Sequence, residues 1–179
     1  IFKRINAVIN SIDRLEVRGR DSAGISVMFT LTQPEFENFK NALIKAGLSE
    51  NLRRRSKHIV LTNNSLTIHE SLSRTGAHLV SIAFVYKIAA EIGSLGDNMA
   101  FIRTQIKNDL ILRLLCQYKF EANSITAHTR WASVGDINTA NCHPHDNTPA
   151  DTSISKTGII HVCLNGDIDN YRDLKIEYE

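Results

Sequence analysis

Four short stretches of this chain hold residue types that could do chemistry in the order they occur. In "AHTRWASVG", residues 127–135, an arginine and a tryptophan stand side by side at the end of a strand-like run. The planar guanidinium of Arg130 suits two-point capture of a small-molecule carboxylate. The competing reading is an arginine paired with an acid of its own chain, with Trp131 simply part of the core. In "VCLNGDIDNY", Asn165 and Gly166 read either as a type I′ hairpin turn or as an oxyanion hole. In the second case the Asn amide and the Gly N–H point at one developing negative charge.

"NCHPH" places His143 and His145 on either side of Pro144. No third ligand follows at metal-binding spacing, so they read as hydrogen-bonding groups on a stiff loop, and no metal is expected. Cys142 and Cys163 have neither a preceding helix N-terminus nor an evident activating base, so both read as small buried residues. In "LEVRGRDSAG", Arg18 and Asp21 could pair across a glycine turn that Ser22 could cap.

These residues need elements to position them. Ile5, Val8, Ile9, Ile12 and Leu15 recur at helical spacing, which predicts an amphipathic helix over 2–16, with Gly19 as its stop. "GISVMFTL" predicts a buried strand over 24–31, broken by Pro34. "PEFENFKNALIKAG" predicts a helix with Gly47 as its C-cap. "KHIVLTNNSLTIHESL" reads as a hairpin through Asn63 and Asn64. Two helices are expected next, one over about 79–92 and one from an Asp97 N-cap to about 117. "NSITAHTRW" and "KTGIIHVCLNG" then return to strand. The segment of about 33–95 reads as an insertion between two β-rich halves of one domain.

The chain has 179 residues, enough for one domain with a real core, and its 42% hydrophobic and 22% charged residues suit a globular protein. A net charge of +2 is too small to argue for nucleic acid or an anionic membrane. The short basic run Arg53, Arg54, Arg55 and Lys57 reads as a solvated loop. No apolar run approaches the roughly 18–20 residues of a membrane helix. Three cysteines without a CxxC pair suggest a reducing compartment, taken as cytoplasm. The chain opens with Ile1 directly in a helical pattern and stops inside another, so both ends are expected to be truncated.

Taken together, the four stretches occur in the order and with the character of the class II glutamine amidotransferases. Within these the chain most resembles the glutaminase domains of the glutamine–fructose-6-phosphate aminotransferase group. The resemblance covers roughly residues 12–31 and 125–173. It implies an α+β fold, the four-layer αββα sandwich of N-terminal-nucleophile hydrolases, with a mixed α/β insertion. It implies release of ammonia from L-glutamine by an N-terminal cysteine whose own α-amino group is the base, through a glutamyl thioester. Asn165 and Gly166 would form the oxyanion hole, and Arg130 would hold the glutamine α-carboxylate. Trp131 would belong to the closing loop, Ser133 would offer a hydroxyl, and His143 would join the substrate-binding set. Arg18 and Asp21 would support the nucleophile's surroundings.

The same resemblance implies no cofactor, a downstream sugar-isomerase-type synthase domain acting on fructose 6-phosphate, and a homo-oligomer. It also exposes departures. No cysteine precedes Cys116, so the nucleophile strand is expected to lie upstream of Ile1. Val134 and Leu164 stand where the family has histidines, and "DNTPADTSIS" lengthens the loop before Asn165. Two alternatives stay open: a non-catalytic glutamine-binding or interaction domain, and the glutaminase domain of another class II enzyme such as amidophosphoribosyltransferase.

Overall fold

In chain order the elements are α1 (Phe2–Asp13), β1 (Ser22–Thr32), α2 (Gln33–Lys45), α3 (Ser49–Arg55), β2 (Leu66–Leu72), β3 (His78–Ala89), α4 (Asp97–Asn108), α5 (Leu110–Leu115), β4 (Ala122–Arg130), β5 (His145–Asp146), β6 (His161–Val162) and α6 (Tyr171–Tyr178). The computed structural model describes residues 1–15, 21–58, 60–89, 96–131, 135–147 and 158–178. Arg18, Gly19 and Ser133 therefore lie outside the described residues.

The centre is an antiparallel sheet in the order β2-β3-β1-β4. Side chains alternate between its faces because the strand period is two. On one face Ala23, Ile25, Val27, Phe29 and Leu31 of β1 join Val80, Ile82, Phe84 and Tyr86 of β3 in the apolar core. Helices cover that face. Ile5, Ile9 and Ile12 reach it from α1, and Phe36, Phe39 and Leu43 from α2. Met99, Ile102 and Ile106 reach it from α4, and Ile111, Leu112 and Leu115 from α5. Phe29 anchors the middle, edge-on to Phe84 at 6.1 Å and to Phe120 at 5.3 Å. The opposite face carries Ser22, Gly24, Ser26, Lys87, His128 and Arg130, and the segments around β5 and β6 lie over it.

This architecture overturns the expected four-layer sandwich. Among the described residues there is one four-stranded sheet with helices on one face, and the second sheet has only two strands, β5 and β6, of two residues each. "KTGIIHVCLNG" contributes only His161 and Val162 to it.

The helix expected over about 79–92 is strand β3. Its apolar run suits either period, but β3 is a central strand, buried on both faces from Ile82 to Lys87, so no clean alternation survives. Asn63 and Asn64 do turn the chain, with Asn64 at φ 64°. They are not the tip of a hairpin, because the partner of β2 is β3. Pro34 starts α2 rather than merely ending β1, and the Thr32 hydroxyl caps that helix by accepting from the Glu35 N–H at 3.4 Å. The segment of 33–95 supplies β2 and β3, so half of the main sheet comes from it. Among the described residues no helix is long and apolar enough to cross a membrane.

Candidate functional site

Gly24 is where the candidate site is assembled. It lies opposite Lys87 on one side and His128 on the other. A Cβ here would run into the His143 backbone carbonyl and stand 3.3 Å from Lys87 Cγ. Glycine thus lets the "NCHPH" loop lie directly on the sheet, which is what brings its side chains to β4. The His143 ring sits 4.5 Å from that of His128 and 4.7 Å from that of His145. Burial is the main cause that holds all three imidazoles below their ordinary value. His143 adds to the effect on both neighbours, and Arg130 adds to it on all three. Nδ1 of His128 and Nδ1 of His143 are buried without a hydrogen-bond partner among the described residues.

Arg130 closes β4 directly across from Ser22. Its carbonyl accepts from the Asp21 N–H at 3.2 Å, which joins Asp21 to Arg130 through backbone. The Arg130 Nη1 donates to the Asp136 carbonyl at 3.4 Å, and the Asn141 side-chain amide donates to the same oxygen at 3.0 Å. Gly135, at φ +87°, passes close enough that a Cβ would come 3.6 Å from Arg130 Nη2. The guanidinium is therefore set against a tight polar turn at a sheet end, sharing the Asp136 carbonyl with the Asn141 amide.

The remaining expected residues fall differently. Trp131 is 70% exposed, which overturns its reading as core. Asn165 and Gly166 sit on an exposed bend beyond β6. Gly166 has φ +149°, but Asn165 is not at positive φ, so the pair is not a type I′ turn, which needs positive φ at both. A Cβ at Gly166 would meet nothing within 4 Å, so the backbone there is open to approach.

Sequence reasoning missed the buried polar layer beneath the loops. Lys87 is 1% exposed, donates to the Leu61 carbonyl at 2.6 Å, and is pushed down to about 8 by burial, against the pull of Cys142, Asp146 and Cys163. Ser26 Oγ lies 2.6 Å from His161 Nδ1, and burial pushes His161 down to about 4. A signal for Lys87 existed: it is the one charge in the apolar run "HLVSIAFVYKIAA". His161 is likewise the one ionisable side chain at the start of "IIHVCL" before Cys163.

The cysteines are poor nucleophiles where they stand. Burial pushes Cys116 and Cys163 up to about 11 and raises Cys142 as well. The Cys142 thiol donates to the Ile88 carbonyl at 3.2 Å. Among the described residues no group of three or more His, Cys, Asp or Glu side chains could hold a metal ion.

No protein-family model matches this chain. Among solved structures it is similar to a dimeric ferredoxin-like protein from an uncultured marine organism. That likeness has 12% identity, covers 64% of this chain and 98% of the other, and has a TM-score of 0.29, too low to carry a conclusion. Among curated proteins it is similar to glutamine–fructose-6-phosphate aminotransferase (isomerizing) of Oceanobacillus iheyensis. The identity is 34% over 91 residues, which is 50% of this chain but only 14% of that relative's length. The chain thus bears a partial likeness to a glutamine-dependent aminotransferase, confined to a small part of that enzyme.

Proposed function

We infer that this chain recognises L-glutamine, with Arg130 as the clamp for its α-carboxylate. The observation that carries the reading is the 34% identity to a glutamine-dependent aminotransferase over half of the chain. Geometry adds support. Arg130 stands at a strand end beside the Asp136–Asn141 turn, and the buried, unpartnered Nδ1 atoms of His128 and His143 lie on the same sheet face. In this reading the open backbone at Gly166 and the Asn165 amide serve the side-chain amide oxygen of glutamine. In the wider enzyme the released ammonia passes to a sugar phosphate held by a sugar-isomerase-type domain.

A second reading has its own support. Burial raises all three thiols of the chain, which supports a reading in which these residues bind glutamine without hydrolysing it. Calorimetric titration of the chain with L-glutamine tests the common core of both. Saturable binding is expected, weakened at least about tenfold by Arg130→Ala, as loss of a charge-assisted two-point contact requires. Binding indifferent to Arg130→Ala, or no binding, would overturn the glutamine reading. An electrophilic glutamine analogue applied to the full-length protein separates the two forms: an adduct on an N-terminal cysteine supports hydrolysis, and reversible binding without an adduct, or an adduct on Cys142 or Cys163, supports the binding module.

A further inference from the structure

The basic run that reads as a solvated loop in the sequence does not stay together in the fold. Arg53 turns to Glu50, donating to both carboxylate oxygens at 2.8 and 2.7 Å. Arg54, Arg55 and Lys57 instead line a cleft of about 430 Å³, with His58 beside them. The rest of the lining is rich in donors: Asn51, Asn63, Asn64, Gln105, Asn108, Thr62 and Ser65. One acid lines it, Asp109, and that carboxylate is already engaged by Arg55 at 2.8 Å and by the Tyr86 hydroxyl at 2.7 Å. Arg54 and Lys57 make no ion pair among the described residues, and Glu50, on which both act, is bonded to Arg53, so the cleft's lining is positively charged.

The walls are fixed. The Asn64 amide donates to Gln105 Oε1 at 2.8 Å, and Arg55 Nε donates to the Asn64 carbonyl at 2.8 Å. Thr62 N–H donates to Ser65 Oγ at 2.9 Å, and Asn63 Oδ1 accepts from the Lys87 N–H at 3.1 Å. A turn held by so many bonds needs little ordering to meet a ligand. His58 is itself held in place, its Nε2 lying 3.3 Å from Thr67 Oγ1 and 3.8 Å from Asp146 Oδ2.

We propose that the cleft lined by Arg54, Arg55, Lys57 and the Asn63–Asn64 turn binds a phosphate group, either free or carried on a small organic molecule. A tetrahedral dianion accepts many hydrogen bonds and is matched by guanidinium, ammonium and amide donors converging on one volume. The volume lies within the range of small-molecule sites. This site is separate from the Arg130 turn and stands whether or not glutamine binds there.

Titration calorimetry of the chain at fixed ionic strength tests it, with inorganic phosphate and glycerol phosphate as probes. Saturable binding of at least one probe is expected. Arg54→Ala and Lys57→Ala, both exposed positions, should each weaken it about tenfold. Arg53→Ala, on the same helix but tied to Glu50, should change it by less than about twofold. Tighter binding of glycerol phosphate supports an organic phosphate, and equal or tighter binding of inorganic phosphate supports the free ion. Three results would overturn the proposal: no saturation with either probe, no effect of Arg54→Ala and Lys57→Ala, or an equal effect of Arg53→Ala.

Discussion

At the scale of single residues, Gly24 shows how one missing Cβ shapes the candidate site. The atom that a side chain would strike is the backbone carbonyl of His143, which cannot swing aside as a flexible side chain can. Gly24→Ala must therefore lift the loop from the sheet, at a cost of about 1–3 kcal/mol, the usual range for overpacking. Lifting the loop separates His143 from His128 and shifts Asn141, which shares the Asp136 carbonyl with Arg130. Lower stability in a urea melt should appear together with moved imidazole signals for His128 and His143 in NMR spectra and, on the glutamine reading, with weaker glutamine binding. Unchanged stability and unchanged imidazole signals would mean that the loop does not rest on Gly24 in solution. The arginine at the end of β4 could be read from its neighbours in sequence. The glycine that delivers the histidines to it could not, because the contact joins residues more than a hundred positions apart and leaves no local pattern.

At the scale of elements, the apolar positions were legible and the interruptions were not. Periodic isoleucines mark α1, which buries one stripe, and β-branched residues mark β1, a central strand buried on both faces from Ser22 to Val27. The helix expected from Asp97 to about 117 is two helices, with the break at Asp109 in extended geometry, φ −76° and ψ 101°. An aspartate at that point is more than a break. One carboxylate accepts from the Leu112 N–H at 3.0 Å, from the Tyr86 hydroxyl and from Arg55. It caps α5, ties it to the central strand β3 and holds the floor of the cationic cleft. Helical periodicity cannot reveal such a hub, because Tyr86 and Arg55 reach it from distant elements. Losing an N-cap alone costs about 1 kcal/mol. Asp109→Ala also strands a nearly buried guanidinium, so a loss of about 3–5 kcal/mol is expected. Chemical denaturation of Asp109→Ala, Tyr86→Phe and the double variant checks this. Additive losses would mean that Tyr86 and Asp109 do not act as one network.

At the scale of the whole molecule, the sheet has two unlike faces, and they respond differently to pH. The helix-covered face is largely apolar, its polar exception being the Tyr86 hydroxyl on Asp109. The opposite face holds His128, His143, His145 and His161, each held below the ordinary 6.5 mainly by burial, with His161 down to about 4. Lys87 and Arg130 lie on this face and disfavour a further positive charge, while Asp146 partly offsets them. The folded chain thus binds fewer protons than the unfolded chain below pH 6.5. Their contribution to stability is fully present above that value and is lost as pH falls. The His161 part is exhausted near pH 4. Each imidazole contributes at most about 1.4 kcal/mol per pH unit inside its window, reduced by solvent screening at the more exposed rings. Urea melts from about pH 7.5 to about pH 4.5 should show stability falling steadily with acid. His161→Gln, which keeps an acceptor for Ser26 but cannot be protonated, should flatten the curve most in its acid half. A pH-independent stability, or a slope untouched by His161→Gln, would show that these histidines are as open to solvent in the folded chain as in the unfolded one.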